Sequence, residues 1–273
     1  MIKCWADEYD SDMEEEWNNK INNENNTKEN IETFYKFSNR ICEKKCSINF
    51  NLFTTVENSE YSCLMPWYIT QVNKCLNEMY NSKNNFKIID AGANIGVDCI
   101  NFLYNFPKSQ LIAFEIENKT YKALCKNLLQ FSYITKVNSL DELTNNCNKI
   151  QAYNVDFLSN LELIKNADIV FIDAPWGGKI YKDKNNISIY LQSENDYYKI
   201  NKSNESKNII SITKKILKEY NVKSVILKVP YNYEFSKLEN ELFNLNKNIN
   251  IIYKNIYKGN SNYIAFVLVF IFI

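Results

Sequence analysis

Short runs of consecutive apolar residues, several closing on an acid, alternate with helix-length stretches through the last two-thirds of this chain, and no feature constrains its fold more. Phe86 to Asp90, Leu111 to Glu115, Ile150 to Asn154, Asp168 to Asp173 and Ser224 to Val229 have the length and β-branched content of buried strands. Helical patterns fill the intervals: from Gly96 to about Phe106, from Lys119 to about Phe131, over Leu158–Lys165, over about 205–220, and from about Tyr233 to Leu245. Wholly apolar strands joined through helices predict a parallel sheet covered on both sides. The last two runs, near Ile249–Tyr257 and Tyr263–Phe272, leave no room for a helix between them and predict an antiparallel hairpin at the sheet edge. The expected fold class is α/β: a Rossmann-like, mostly parallel seven-stranded sheet with an antiparallel C-terminal hairpin and helices on both faces. A polar stretch, roughly 178–204, reads as a long loop of the kind that carries function.

Composition divides the 273 residues into an acidic polar lead-in at 1–27, a small, mainly helical accessory segment at 28–82 and the α/β domain at 83–273. Residues 1–30 hold nine acids and three lysines, so with zero net charge overall the remainder carries +6. A mildly basic body suits a small anionic ligand better than a long polyanion. Eight cysteines without a second pair at metal-ligand spacing read as reduced thiols of an intracellular protein, in cytoplasm or nucleus, with no metal. Abundant Asn, Lys and Ile beside a lone arginine, Arg40, suit AT-rich coding DNA, as in some large DNA viruses and protists. The apolar run Tyr263–Ile273 is too short for a bilayer, which takes about 20 residues, so no membrane is expected as a partner. A monomer is the default expectation. The chain contains no histidine, which removes imidazole bases, Ser-His-Asp catalysis and histidine metal sites together. Methyl transfer from a sulfonium donor is one chemistry that needs none of them.

Three strand ends carry the chemistry. Ile88-Ile89-Asp90-Ala91-Gly92-Ala93-Asn94-Ile95-Gly96 places a glycine turn where open α/β sheets bind ligands, letting backbone approach a cofactor. Glu115 ends the next strand, where a carboxylate can accept both ribose hydroxyls of an adenosine; Glu117 reads instead as a solvated helix-entry residue. Asp156, after the third strand, is placed to contact the adenine side. Together these point to an adenosine-type cofactor. Asp173-Ala174-Pro175-Trp176-Gly177-Gly178 closes the fourth strand. It resembles the (Asp/Asn/Ser)-Pro-Pro-aromatic signature of methyltransferases that act on exocyclic amines of nucleobases. Such an amine is a poor nucleophile because its lone pair is delocalised into the ring. A side-chain oxygen and a backbone carbonyl that accept its hydrogens would localise the pair, and an aromatic ring would hold the base in plane, so positioning and electrostatics suffice. The plain structural alternative is a strand-ending turn whose Trp plugs the core.

Trp176-Gly177-Gly178 after Pro175, with Tyr181 five residues beyond the Trp, resembles the trimethylguanosine synthase (cap hypermethylase) family of class I S-adenosylmethionine-dependent methyltransferases. The resemblance runs from about Lys28 to the C-terminus. Asp90 matches the family's first-motif Asp, Asn127 an Asn on the following helix, and Asp156 the Asp of a Gly-Asp-Phe motif. Val229-Pro230-Tyr231-Asn232 is similar to its Leu-Pro-Arg-Asn segment, and Tyr61-Ser62 to a Phe-Ser pair near the cofactor. The resemblance implies S-adenosylmethionine as cofactor, with S-adenosylhomocysteine as product, held by Asp90, Gly92, Glu115, Asn127, Asp156 and Ser62. It implies a 7-methylguanosine-capped RNA as partner, its cationic purine stacked on Trp176 by cation–π attraction. Tyr181, Lys28 and Lys258 would hold the triphosphate and Phe37 would close the pocket, while Asp173 and the Ala174 carbonyl, on a turn stiffened by Pro175, would receive the N2 amine. The chain departs from the family at Asp173 (Ser), Ala174 (Pro) and Tyr231 (Arg).

Two rivals stand beside this reading. One is an amino-methyltransferase acting on another base, such as adenine N6, which Asp173 favours while Gly177, Gly178, Tyr181 and near-neutral charge favour the cap. The other is a catalytically silent cap-binding protein, which would need Trp176 but not Asp90, Glu115 and Asp173.

Overall fold

The computed structural model describes residues 54–56, 64, 66–81, 84–133, 150–191, 208–259 and 261–273. Among the described residues, twelve helices and strands run in chain order: α1 (Pro66–Met79), β1 (Lys87–Asp90), α2 (Val97–Asn105), β2 (Gln110–Phe114), α3 (Asn118–Tyr133), β3 (Ile150–Tyr153), β4 (Ile169–Ile172), α4 (Ile209–Glu219), β5 (Ser224–Val229), α5 (Phe235–Leu245), β6 (Asn250–Tyr257) and β7 (Ile264–Phe272). The strands form one sheet in the order β3-β2-β1-β4-β5-β7-β6. β3 through β5 are mutually parallel, and β7 runs antiparallel between β5 and β6. The order reverses between β1 and β4, so the turns after these strands share one end of the sheet, as the sequence pattern predicts for a ligand site.

Alternation along each strand sorts the core into two layers. Ile88, Leu111, Ile169, Phe171, Ile226, Leu268 and Phe270 pack with α1, α2 and α3. Ile89, Ile112, Val170, Ile172, Val225, Leu227 and Val269 pack with α4, α5 and the segment after β3. Both faces are covered, which is why β4 and β5 bury every residue and read as unbroken apolar runs. Tyr80, just after α1, meets Phe86, Phe106, Phe270 and Phe272, and its hydroxyl donates to Ser224 Oγ at 2.9 Å.

One expected helix is absent. Over Leu158–Lys165 the chain forms two short 3-10 turns, Phe157–Ser159 and Leu161–Ile164. Asn160 separates them at φ −130°, which no α-helix tolerates, while Asp156 caps the first by accepting the Leu158 amide. The expected loop at 178–204 opens as a 3-10 turn, Gly178–Asp183, and residues 192–207 lie outside the described residues.

Candidate active site

The turn after β1 is held from three sides. Gly96 sits at φ 91°, and a Cβ there would come within 2.7 Å of Leu124 Cδ1, so the left-handed turn and the close approach of α3 both require glycine. Glu115, after β2, accepts the Asn94 amide on Oε2 and the Glu117 amide on Oε1, each at 2.9 Å. Glu117 caps α3 through the Thr120 amide and hydroxyl, matching the helix-entry role read from sequence. Asn154 donates to the carbonyls of Glu115 and Ile116, tying the ends of β2 and β3 together. Asp156 stands beside them as the cap of its 3-10 turn.

Asn127 is occupied differently from the expected cofactor contact. It is buried, its amide nitrogen donates to the carbonyls of Thr54 and Ile95, and its oxygen accepts the Thr54 amide. This side chain clamps the Thr54 backbone onto the glycine turn at Ile95.

The turn after β4 lies against the turn after β1: a Cβ on Gly92 would stand 3.9 Å from the Asp173 carbonyl. Asp173 Oδ2 accepts Lys228 Nζ at 2.5 Å, and no hydrogen bond to Oδ1 is formed among the described residues. The side chains of Lys228 and Asp173 are only 8% and 9% exposed, which makes this a buried ion pair rather than a surface one. The Lys228 ammonium also lies 5.4 Å from the Phe266 ring centroid. Ala174 is buried, Pro175 is exposed, and Trp176 is half-buried with its indole N–H on the Lys228 carbonyl at 3.3 Å. Tyr181 is buried edge-on against Trp176, with ring centroids 5.5 Å apart, so it braces the indole. Trp176 is therefore anchored in the core by one edge and partly open on the rest. Asn232 pins the loop beyond by donating to the carbonyls of Tyr181 and Lys184. Lys258 occupies the β6–β7 turn, at the same end of the sheet because β7 runs antiparallel to β5. Ser62, Phe37 and Lys28 lie outside the described residues.

Carboxyls outnumber cations here. Asp90 is fully buried, accepts the Gly92 amide and the Cys99 thiol, and is pushed up to about 8 by burial first and then by repulsion from Asp98 and Asp173. Burial raises Asp98 as well, against the pull of Lys228. Asp173 is pushed up to about 6, burial outweighing the Lys228 charge. Glu115 is raised by burial, opposed by its backbone donors. A cavity of about 10 Å³ among Asp98, Asn101, Lys228 and Phe266 has room for one water at most and is not a substrate pocket. Sequence reasoning missed Lys228 and Asp98; the available signal was a single lysine inside a fully buried strand. No group of three or more metal-ligating side chains occurs among the described residues.

No family model matches the chain. A 165-residue stretch is 28% identical to the uncharacterized protein L320 of Acanthamoeba polyphaga mimivirus, covering 59% of this chain and 53% of that protein. The chain thus spans about half the length of the curated relative it matches. Among solved structures, a human methyltransferase 10 domain containing protein aligns over 87% of this chain and 97% of its own, at 9% identity and a TM-score of 0.50. Precorrin-6y C5,15-methyltransferase of Geobacter metallireducens aligns over 83% and 96%, at 14% identity and a TM-score of 0.48. The fold is that of the class I methyltransferases, with the antiparallel seventh strand that the C-terminal runs foretold.

Proposed function

We propose that this chain transfers a methyl group from S-adenosylmethionine to the exocyclic N2 amine of a 7-methylguanosine RNA cap, giving di- or trimethylguanosine. The observation that carries the reading is Asp173, a carboxylate with one oxygen engaged and one available, set against the Gly92 turn and followed by Trp176. The donor set fits the cofactor. Each oxygen of Glu115 takes one backbone amide and keeps a lone pair for a ribose hydroxyl.

Bound S-adenosylmethionine would supply an electrophilic methyl group and leave as the neutral thioether. Asp173 Oδ1 and the Ala174 carbonyl would accept the two amine hydrogens and aim the lone pair. Trp176, fixed by its indole N–H and by Tyr181, would hold the purine plane, with cation–π attraction of about 0.5–2 kcal/mol for a cationic base. Lys258, Lys28 and Phe37 remain candidates for the rest of the cap; buried Tyr181 serves it through Trp176.

Mass spectrometry of 7-methylguanosine-capped RNA incubated with the protein and S-adenosylmethionine tests this. One or two methyl increments on the cap are expected, falling at least about 100-fold in rate in Asp173→Ala and Trp176→Ala. Increments confined to adenine, or cap binding without transfer and without affinity for S-adenosylhomocysteine, would replace this reading with one of its rivals.

A further inference from the structure

We infer that Lys228 is a positioning residue of the transfer centre: it holds Asp173 as a carboxylate with Oδ2 locked, so that Oδ1 alone faces the acceptor amine. The inference rests on the methyl-transfer reading for its consequence but on the ion pair for its geometry. β5 delivers the lysine to the layer of the sheet that also receives Asp90 and Asp173, and Phe266 of β7 backs its ammonium. Among the described residues, the charged groups acting on Asp173 are Asp90 from β1, Asp98 from α2 and Lys228 from β5. Around Lys228 and Asp98, α1 and β7 contribute Val72, Leu76, Phe266 and Leu268, all apolar. Among the described residues Lys228 is thus the one cation beside these three carboxyls, and without it Asp173 would hold a proton more readily, as Asp90 does.

The charge state matters because transfer leaves a proton to be placed. The amine nitrogen forms a bond to the methyl carbon while the carbon–sulfur bond breaks and its electron pair stays on sulfur. The nitrogen is left cationic, and its N–H proton passes to Oδ1. A neutral Asp173 could neither accept the hydrogen bond on that oxygen with full strength nor take the proton. The family-typical serine needs no such partner, which gives the Asp173 departure a physical counterpart in a lysine that the apolar strand would otherwise exclude.

The test reads Asp173 directly. Carboxyl ¹³C resonances of aspartate-labelled protein are followed with pH, the Asp173 signal being the one missing in Asp173→Asn. Wild type is expected to titrate near 6, Lys228→Gln about one unit or more higher, and Lys228→Arg close to wild type. With capped RNA as acceptor, kcat should fall about 100-fold in Lys228→Gln, with its acidic limb displaced in parallel, and recover in Lys228→Arg. KM for S-adenosylmethionine should stay within about threefold, as a purely structural lesion would not. A wild-type midpoint above about 7, or one unmoved by Lys228→Gln, overturns the inference, and the first needs only the Asp173→Asn variant used for the assignment. If wild type methylates neither cap nor adenine, the functional reading fails while the titration still decides the role of Lys228.

Discussion

Asp90 shows what single side chains contribute here and at what cost. Its carboxyl moves from the ordinary 3.8 up to about 8. Between those values the folded chain keeps a proton that the unfolded chain has lost, so stability falls as pH rises across that window. The slope from this group approaches about 1.4 kcal/mol per pH unit at its steepest. Asn mimics the protonated acid, so Asp90→Asn should flatten the dependence between about pH 4 and 8 in urea unfolding, and most of all near the middle of that window. A slope unchanged by the substitution would mean that Asp90 is ionised. Residues at strand ends were legible because position alone gives them meaning: Asp90, Glu115 and Asp173 stand at the ends of the neighbouring parallel strands β1, β2 and β4. Asn127 was legible only as a residue type, since what it binds, Thr54, lies far away in sequence. Lys228 was illegible because an apolar run hides a lone charge whose partner is 55 residues upstream.

At the scale of elements, the strands followed from the sequence more closely than the connections. Ser224–Val229 begins and ends where its composition changes, and the closing strands are displaced by a residue at most. The segment after β3 has helix-compatible residues but is too short between Asp156 and the return at Asn166 for more than two 3-10 turns. The loop beyond Trp176 owes its shape to contacts with a distant turn: Asn232 holds the carbonyls of Tyr181 and Lys184, and Ile187 and Tyr233 form a parallel bridge. Asn232→Ala should release this fastening. Hydrogen exchange at the Ile187 amide, which donates to the Asn232 carbonyl, should quicken about tenfold or more, while β4 and β5 keep their protection. On the proposed cap-methylation reading, KM for the cap should rise with little change in kcat, and unchanged exchange would show that the bridge alone holds the loop.

For the whole molecule, the sheet order decides what can be removed. β7 is the last strand in sequence but lies inside the sheet, buried at seven of its nine positions and bonded on both sides. Deleting residues 264–273 should therefore abolish cooperative unfolding, where trimming an edge strand would only lower stability. A truncated chain that still unfolds in one sharp transition would contradict the topology. The α/β class and the antiparallel ending were readable because layer burial dictates strand composition. What the protein acts on is a matter of loop chemistry on that frame.

The placement of β7 also sets a clock. A ribosome delivers β5 and Lys228 well before Phe266, so for some 35 residues of synthesis, a few seconds at about 5–20 residues per second, one side of β5 has no strand to meet and its ammonium no ring to rest on. The nascent protein thus makes the Asp173–Lys228 pair early and gives it its aromatic backing only when β7 arrives.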